Sequence, residues 1–299
     1  MRFSPSIDTQ ENYDNYLQAY GNAFGDGVNF LDDAMQEVAR SDATHSLPVL
    51  LLTRHVIESI DGVQILASHG SVQPCEANLR SALEAFFGIL YILESDSERR
   101  GLSYLVSDYR KHLKLHRKYD PSDPIGIELR AHNSADQIEA LIGSIPRAML
   151  QSKINFLETQ LNEPEFKATN DEFARTKTKG EPNWYSLYGG PKHAQELARY
   201  LKLNHLYEFM YAPWSGTLHG GNTVRNLCDK GHSLGYRPIR HPDGMNTILR
   251  ACMALGLPLA VQLFLTFSSM AKDLVMKRHA DTCHRLAAVL ETENVQWEA

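Results

Sequence analysis

Cysteine is scarce: Cys75, Cys228, Cys252 and Cys283 stand far apart in a chain of 299 residues, and none belongs to a Cys-x-x-Cys pair. That spacing argues against a disulfide framework and against a cysteine-rich zinc site, and it suits a reducing compartment. Alternating β-branched runs are nearly missing, which removes the all-β architectures. No Walker loop or dinucleotide fingerprint occurs: "GNAFGDG" at 21 to 27 sits in an amphipathic helical context and follows no strand, so no cofactor is expected. A surplus of positive charge is lacking as well. The formal net charge of -6 argues against a surface built throughout for nucleic acid or anionic membrane and leaves room only for a local basic patch. The opening "MRFSPSIDTQENYD" carries no apolar signal core, so a cytoplasmic location is the expectation. Long apolar runs are limited to "ACMALGLPLAVQLFLTF" at 251 to 267, which is short for a bilayer, carries Gln262 and is interrupted by Gly256 and Pro258. It reads as a buried, kinked core helix, and no membrane association is expected; the mean hydropathy of -0.35 agrees.

The content that remains is ordinary for a globular protein, 43% hydrophobic and 22% charged. Apolar residues recur at helical spacing almost everywhere, which predicts an all-α protein, a multi-helix bundle of about eight or nine helices with long aromatic loops. Helices are predicted at 10 to 40, 47 to 68, 74 to 95, 97 to 119, 133 to 162, 192 to 202, 203 to 221, 244 to 276 and 278 to 293. Residues 1 to 44 read as an N-terminal helical extension and 45 to 299 as the helical core domain. Breakers fall at "HGSVQP", "DPSDPIG", "TKGEPNWYSLYGGP" and "GHSLGYRPIRHPDG". The last two are long and aromatic, where function tends to sit.

One helix poses a charge problem. "ALEAFFGILYIL", from Ala82 to Leu93, is apolar on every side except at Glu84, so the pattern predicts a buried helix with a carboxylate inside it. Such a group must be paired, hydrogen-bonded or protonated. Arg80 is one turn earlier, within reach at the i,i+4 spacing. The pair is either a salt bridge that fixes helix register, or a general base or substrate anchor with a perturbed pKa. "RHVIESIDG" at 54 to 62 echoes "RSALEAFFG" at 80 to 88, with Arg, Glu and Gly at the same offsets.

A second pattern lies in "YAPWSGTLHGG" at 211 to 221. Tyr207, Tyr211, Ser215 and His219 recur every four residues and make one stripe on a helix that Pro213 should kink. A serine hydrolase is a poor fit, because a helix interior offers no free N–H for an oxyanion. The remaining readings are acid/base or anion-binding chemistry with a nearby Arg, or a hydroxyl and imidazole that satisfy a buried carboxylate such as Glu84.

Two basic segments complete the candidates. "DYRKHLKLHRK" at 108 to 118 places Asp108, His112 and His116 on one helical face among cations. The neighbouring Lys and Arg oppose a dication, so no metal site is expected, and the segment reads as a solvated basic face or a phosphate contact. The loop "RTKTKGEPNWYSLYGGPKH" interleaves Arg175, Lys177, Lys179 and Lys192 with Trp184, Tyr185 and Tyr188. Such aromatics stack on single-stranded bases or anchor the loop to the body of the protein.

Taken in order, "LRSALEAFFGILYIL" and "NWYSLYGGPKHAQELARYLKLNHLYEFMYAPWSGTLHGG" resemble the bacterial domain-of-unknown-function family 5677. Its Arg-x-x-x-Glu helix, Trp-containing loop and Tyr-x-x-x-Ser-x-x-x-His helix map onto Arg80, Glu84, Trp184, Tyr211, Ser215 and His219, over roughly residues 45 to 275. The resemblance implies an all-helical fold and a shared site, without a reaction. More loosely, the chain looks like the higher-eukaryote-and-prokaryote nucleotide-binding superfamily, whose ribonucleases use an Arg-polar-x-His motif without metal. "RNLCDKGH" supplies Arg225, Asn226 and His232, although Gly231 puts His232 in a loop where the motif requires a helix. The expectation is therefore a helical protein acting on RNA or nucleotides, a metal-independent RNase of a toxin or defence system if it is an enzyme, which the residues leave open. His219, Ser215, Glu84 and Arg80 are its catalytic candidates, with Tyr211, Trp184, Tyr207, Lys192, Arg225 and His232 as substrate-binding candidates. The alternative is a non-catalytic interaction or small-molecule-binding protein whose polar cluster is structural. The expected partners are RNA or nucleotide, or a protein, with a homodimer as the assembly.

Overall fold

Prolines and left-handed residues mark several of the helix boundaries. The computed structural model describes residues 7–142, 145–178, 180–218, 221, 223–229, 234–236 and 244–291, and they form an all-α protein of two compact units. The first comprises Met1–Tyr91 and Leu197–Ala299, the second Ile92–Glu196.

In the first unit, α1 (Ile7–Ala39) and α2 (Ser46–Ala67) precede α3 (Val72–Glu94), which continues into the second unit. Gly70 adopts a left-handed φ of 68°, which lets the chain reverse tightly between α2 and α3. The chain returns through α9 (Ala194–Tyr200), α10 (Asn204–Leu206), a π-helical turn (Tyr207–Tyr211) and α11 (Ala212–Leu218). A 3-10 turn (Thr223–Asn226) and a two-stranded antiparallel ribbon follow, β1 (Leu227–Asp229) on β2 (Leu234–Tyr236), with Cys228 opposite Gly235. The unit closes with α12 (Met245–Phe267) and α13 (Lys272–Glu291). The first helix lies along α12 and α2, where Phe30 stacks on Phe264 at 5.5 Å. Arg278 of α13 covers Phe30 at 5.0 Å and pairs with Asp33.

The apolar run expected to be a core helix is α12. It is long and apolar enough to cross a membrane by length and composition, and 61% of its apolar window is buried within the protein. It runs unbroken through Pro258. Pro258 and Ala254 both face solvent, so water can satisfy the carbonyl that the missing N–H leaves unpaired.

The second unit holds α4 (Ser97–Tyr119), α5 (Pro124–Ala131), α6 (Ala135–Ile142), α7 (Arg147–Asn162), α8 (Pro164–Thr176) and a 3-10 turn (Trp184–Gly189). Its core joins Val106 of α4, Leu161 of α7, Phe173 of α8 and Leu187 of the turn. Arg130 closes the corner after α4 by donating to the carbonyls of Lys118 and Tyr119.

Several predicted boundaries need correction. The helix expected at 133 to 162 is two, α6 and α7, with Pro146 at the N-cap of the second. "DPSDPIG" does more than break: Asp123 accepts the Ile125 N–H at 2.8 Å and Pro124 occupies the first turn, so the segment starts α5. Pro164 likewise starts α8, a helix the periodicity missed. The helix expected at 244 to 276 ends at Phe267, and α13 begins at Lys272.

Candidate functional site

The tyrosine stripe is built on an irregular helix. Pro213 cannot donate a helical hydrogen bond and would crowd the preceding turn, and that turn is widened: the Ala212 N–H reaches back five residues to the Tyr207 carbonyl. Tyr207 and Tyr211 stack with centroids 5.0 Å apart. Tyr211 then meets α3. Arg80 Nη2 donates to its hydroxyl at 2.8 Å, the hydroxyl donates to Glu84 Oε1 at 2.9 Å, and Arg80 pairs with the same oxygen at 3.1 Å. The guanidinium also lies 4.6 Å from the Tyr211 ring centroid. Burial, and then the Glu84 charge, push the Tyr211 phenol above its ordinary pKa, so it remains a hydrogen-bond donor at neutral pH.

Glu84 differs from expectation in one respect. Its side chain is 51% exposed, because α3 turns that one position outward while Leu83, Ala85 and Phe86 are buried. The carboxylate is thus paired at the surface, with water free to share its solvation. Both of its contacts fall on Oε1, while Arg80 Nε is buried without a partner among the described residues. Ser215 makes no hydrogen bond with Arg80 or Glu84, and His219 lies outside the described residues.

Arg225 is already occupied. It is bidentate to Glu76 of α3 at 2.8 Å for each contact, and Thr217 donates to the same carboxylate at 2.5 Å. The Glu76 hydrogen bonds raise the Arg225 pKa further and hold its charge on a protein carboxylate. Arg225 sits on the 3-10 turn, and His232 lies outside the described residues. A contact that sequence reasoning missed joins the echoed segments: His55 Nε2 lies 2.7 Å from Ser81 Oγ. The echo itself was the available signal, since His55 and Ser81 each follow the arginine of their copy.

Trp184 and Lys192 belong to the second unit. Trp184 is held edge-on by Tyr104 and Tyr185, each at 5.6 Å, and Tyr188 is covered by Arg99 at 4.7 Å, so the loop aromatics do anchor the loop. Lys192 is engaged through its backbone, with its N–H on Glu196 and its carbonyl accepting from Asn183.

Trp184 also lines a cleft of about 720 Å³, walled by α4, α7, α8 and the 177–184 segment. The cleft brings the two basic segments together: Arg110, Lys111, Lys114 and Arg117 come from α4 and Lys177 from the loop. Two carboxylates answer them. Glu181 takes Arg110 at 3.0 Å and Lys177 at 3.4 Å, and Glu158 takes Arg117 at 2.6 Å. Arg110 is further fixed by Asn170 at 2.5 Å and lies over Phe173. Lys111 and Lys114 have no acidic partner among the described residues. On the other side of α4, His112 approaches Asp108 at 3.6 Å, and partial burial, with the Lys153 and His112 charges behind it, lowers the His116 pKa.

A family of unknown function (DUF5677) matches residues 46–231. The chain belongs to that family. The matched region contains Arg80, Glu84, Tyr211, Ser215 and Trp184, and both the tyrosine cluster and the basic cleft lie within it; α12 and α13 lie beyond. No curated protein and no solved structure matches the chain.

Proposed function

We propose that this DUF5677 protein acts on RNA or nucleotides and holds the ligand in the basic cleft of the second unit. One observation carries the reading: Lys111 and Lys114 are unneutralised in a cleft that also presents Trp184. Cations answer phosphate, and an aromatic face answers any base. The cleft is also of the size that encloses a small ligand. The Arg80, Tyr211 and Glu84 cluster supports ligand binding less well, because its donors and acceptors are spent largely on one another.

The test is fluorescence anisotropy of labelled single-stranded RNA and labelled nucleotide with purified protein in EDTA, comparing wild type with a Lys111→Glu, Lys114→Glu variant. Wild type should bind at least one of the two ligands, and the variant should bind at least about tenfold more weakly at unchanged melting temperature. Equal binding by both proteins would sink the assignment to this cleft. Gel analysis of the same RNA samples tests cleavage. Cutting that disappears in a folded His219→Ala variant makes the Ser215 helix an active site, and intact RNA confines the protein to binding.

A further inference from the structure

We infer that the cleft of the second unit takes a single nucleotide carrying about two phosphate groups, chemically a nucleoside diphosphate, in preference to a strand. The inference rests on the RNA-or-nucleotide reading and names the ligand of that site. It begins from the charges left over. Five cations line the cleft against two carboxylates: Arg110 and Lys177 share Glu181 and Arg117 takes Glu158, so the lining keeps a net charge of about +3, and Lys111 and Lys114 are the two cations with no acidic partner among the described residues. They stand three residues apart on α4, so they are neighbours on the helix surface and their flexible stems can converge on adjacent phosphates.

A strand would need that cationic track to continue, and although Lys118 extends it by one turn on α4, on α8 the cations are spent within the helix. Lys167 is paired with Asp171 at 3.0 Å and Arg175 with Glu172 at 2.7 Å, each at helical spacing. The two carboxylates inside the cleft, Glu158 and Glu181, also act against a polyanion laid through it. Phosphate alone does not use the rest of the site. Trp184 lines the same cleft, half-buried against the Val106, Leu161, Phe173 and Leu187 core and held by Tyr104 and Tyr185, so a base that meets the part of it turned to the cleft needs little side-chain ordering. A volume of about 720 Å³ suits one nucleotide with its phosphates.

The experiment is calorimetric titration of the full chain with the four common ribonucleoside diphosphates, the four monophosphates, inorganic pyrophosphate and a mixed-sequence RNA dodecamer, each over a series of salt concentrations. At least one diphosphate should bind about tenfold or more tightly than its monophosphate and than pyrophosphate. The fall of log K with log salt should be shallow for a diphosphate, which has no condensed counterion sheath to release, and steep only for the dodecamer. A Lys111→Gln, Lys114→Gln variant should lose about tenfold or more for the diphosphate while melting like wild type. If the dodecamer binds at least tenfold more tightly than every diphosphate, with a slope of four or more, the strand is the ligand and the single-nucleotide inference falls while the broader reading stands. Pyrophosphate binding as tightly as the diphosphates removes the base. If no probe binds, or the double variant binds all of them like wild type, both readings fall.

Discussion

Asp120 shows what one side chain contributes at the corner between α4 and α5. The residue is 5% exposed, and its carboxylate accepts the Ser122 N–H at 2.9 Å and the Ser122 hydroxyl at 2.7 Å. Those hydrogen bonds hold its pKa below the ordinary value near 3.8 and outweigh the burial that pushes the other way. A carboxyl depressed in the folded state stabilises the fold above its unfolded pKa, and that contribution is lost as pH falls through the folded value. Asp120→Asn should therefore lower stability at pH 7 by about 1 kcal/mol, and the difference from wild type should shrink below about pH 4. Urea unfolding at pH 7 and pH 3 measures both, and an equal gap at the two pH values would refute the charge as the cause. Glu84 gives the complementary case. Its i,i+4 pairing with Arg80 was legible in the sequence, but its exposure was not, because the composition around it says how apolar the helix is and leaves open which stripe finds no neighbour.

At the scale of the element, the strongest constraint lies six residues after Asp120. A Cβ placed on Gly126 would come within 1.8 Å of the Asp120 carbonyl oxygen and 3.1 Å of that of Arg117, both backbone atoms that a rotamer change cannot move. Close approach of α5 to the end of α4 therefore requires glycine there. Gly126→Ala should cost about 2 to 3 kcal/mol and depress the melting temperature by several degrees, as read by circular dichroism; a wild-type melting curve would show that the corner yields easily. The helices were legible in proportion to their length. Runs such as α4 matched because apolar periodicity is sustained along them, whereas α5 starts inside a segment that read as a breaker and α8 is short, and in each a proline serves as the first-turn starter. The cleft was half legible for a related reason. The basic face of α4 and the cationic aromatic loop each stood out, but their meeting is a tertiary fact: Arg110 and Glu181 are 71 residues apart, and no local pattern joins them.

Across the whole molecule, charge and apolar burial follow separate plans. The net charge of -6 repels polyanions at long range, while the second unit carries a local basic cleft that acts within a Debye length, about 8 Å at physiological salt. Apolar burial in the first unit depends on α12, whose sides are covered by α1 and α13. In α1, Phe30, Leu31, Ala34 and Val38 are all buried, and Asp26 and Asp33 pair with Arg285 and Arg278 of α13, so the helix is held at both its apolar and its charged positions. Deleting residues 1–44 would expose the face of α12 around Phe264 and leave both arginines without those partners. The truncated chain should bind a hydrophobic dye such as ANS, lose a cooperative melting transition and aggregate without detergent, because an apolar helix stripped of one neighbour presents a large contiguous patch to water. Dye binding, calorimetry and light scattering on the full and truncated chains make the comparison. A truncated chain that stays monodisperse and melts with the same cooperativity would mean that residues 45–299 fold independently and that α1 is an extension laid on a finished core.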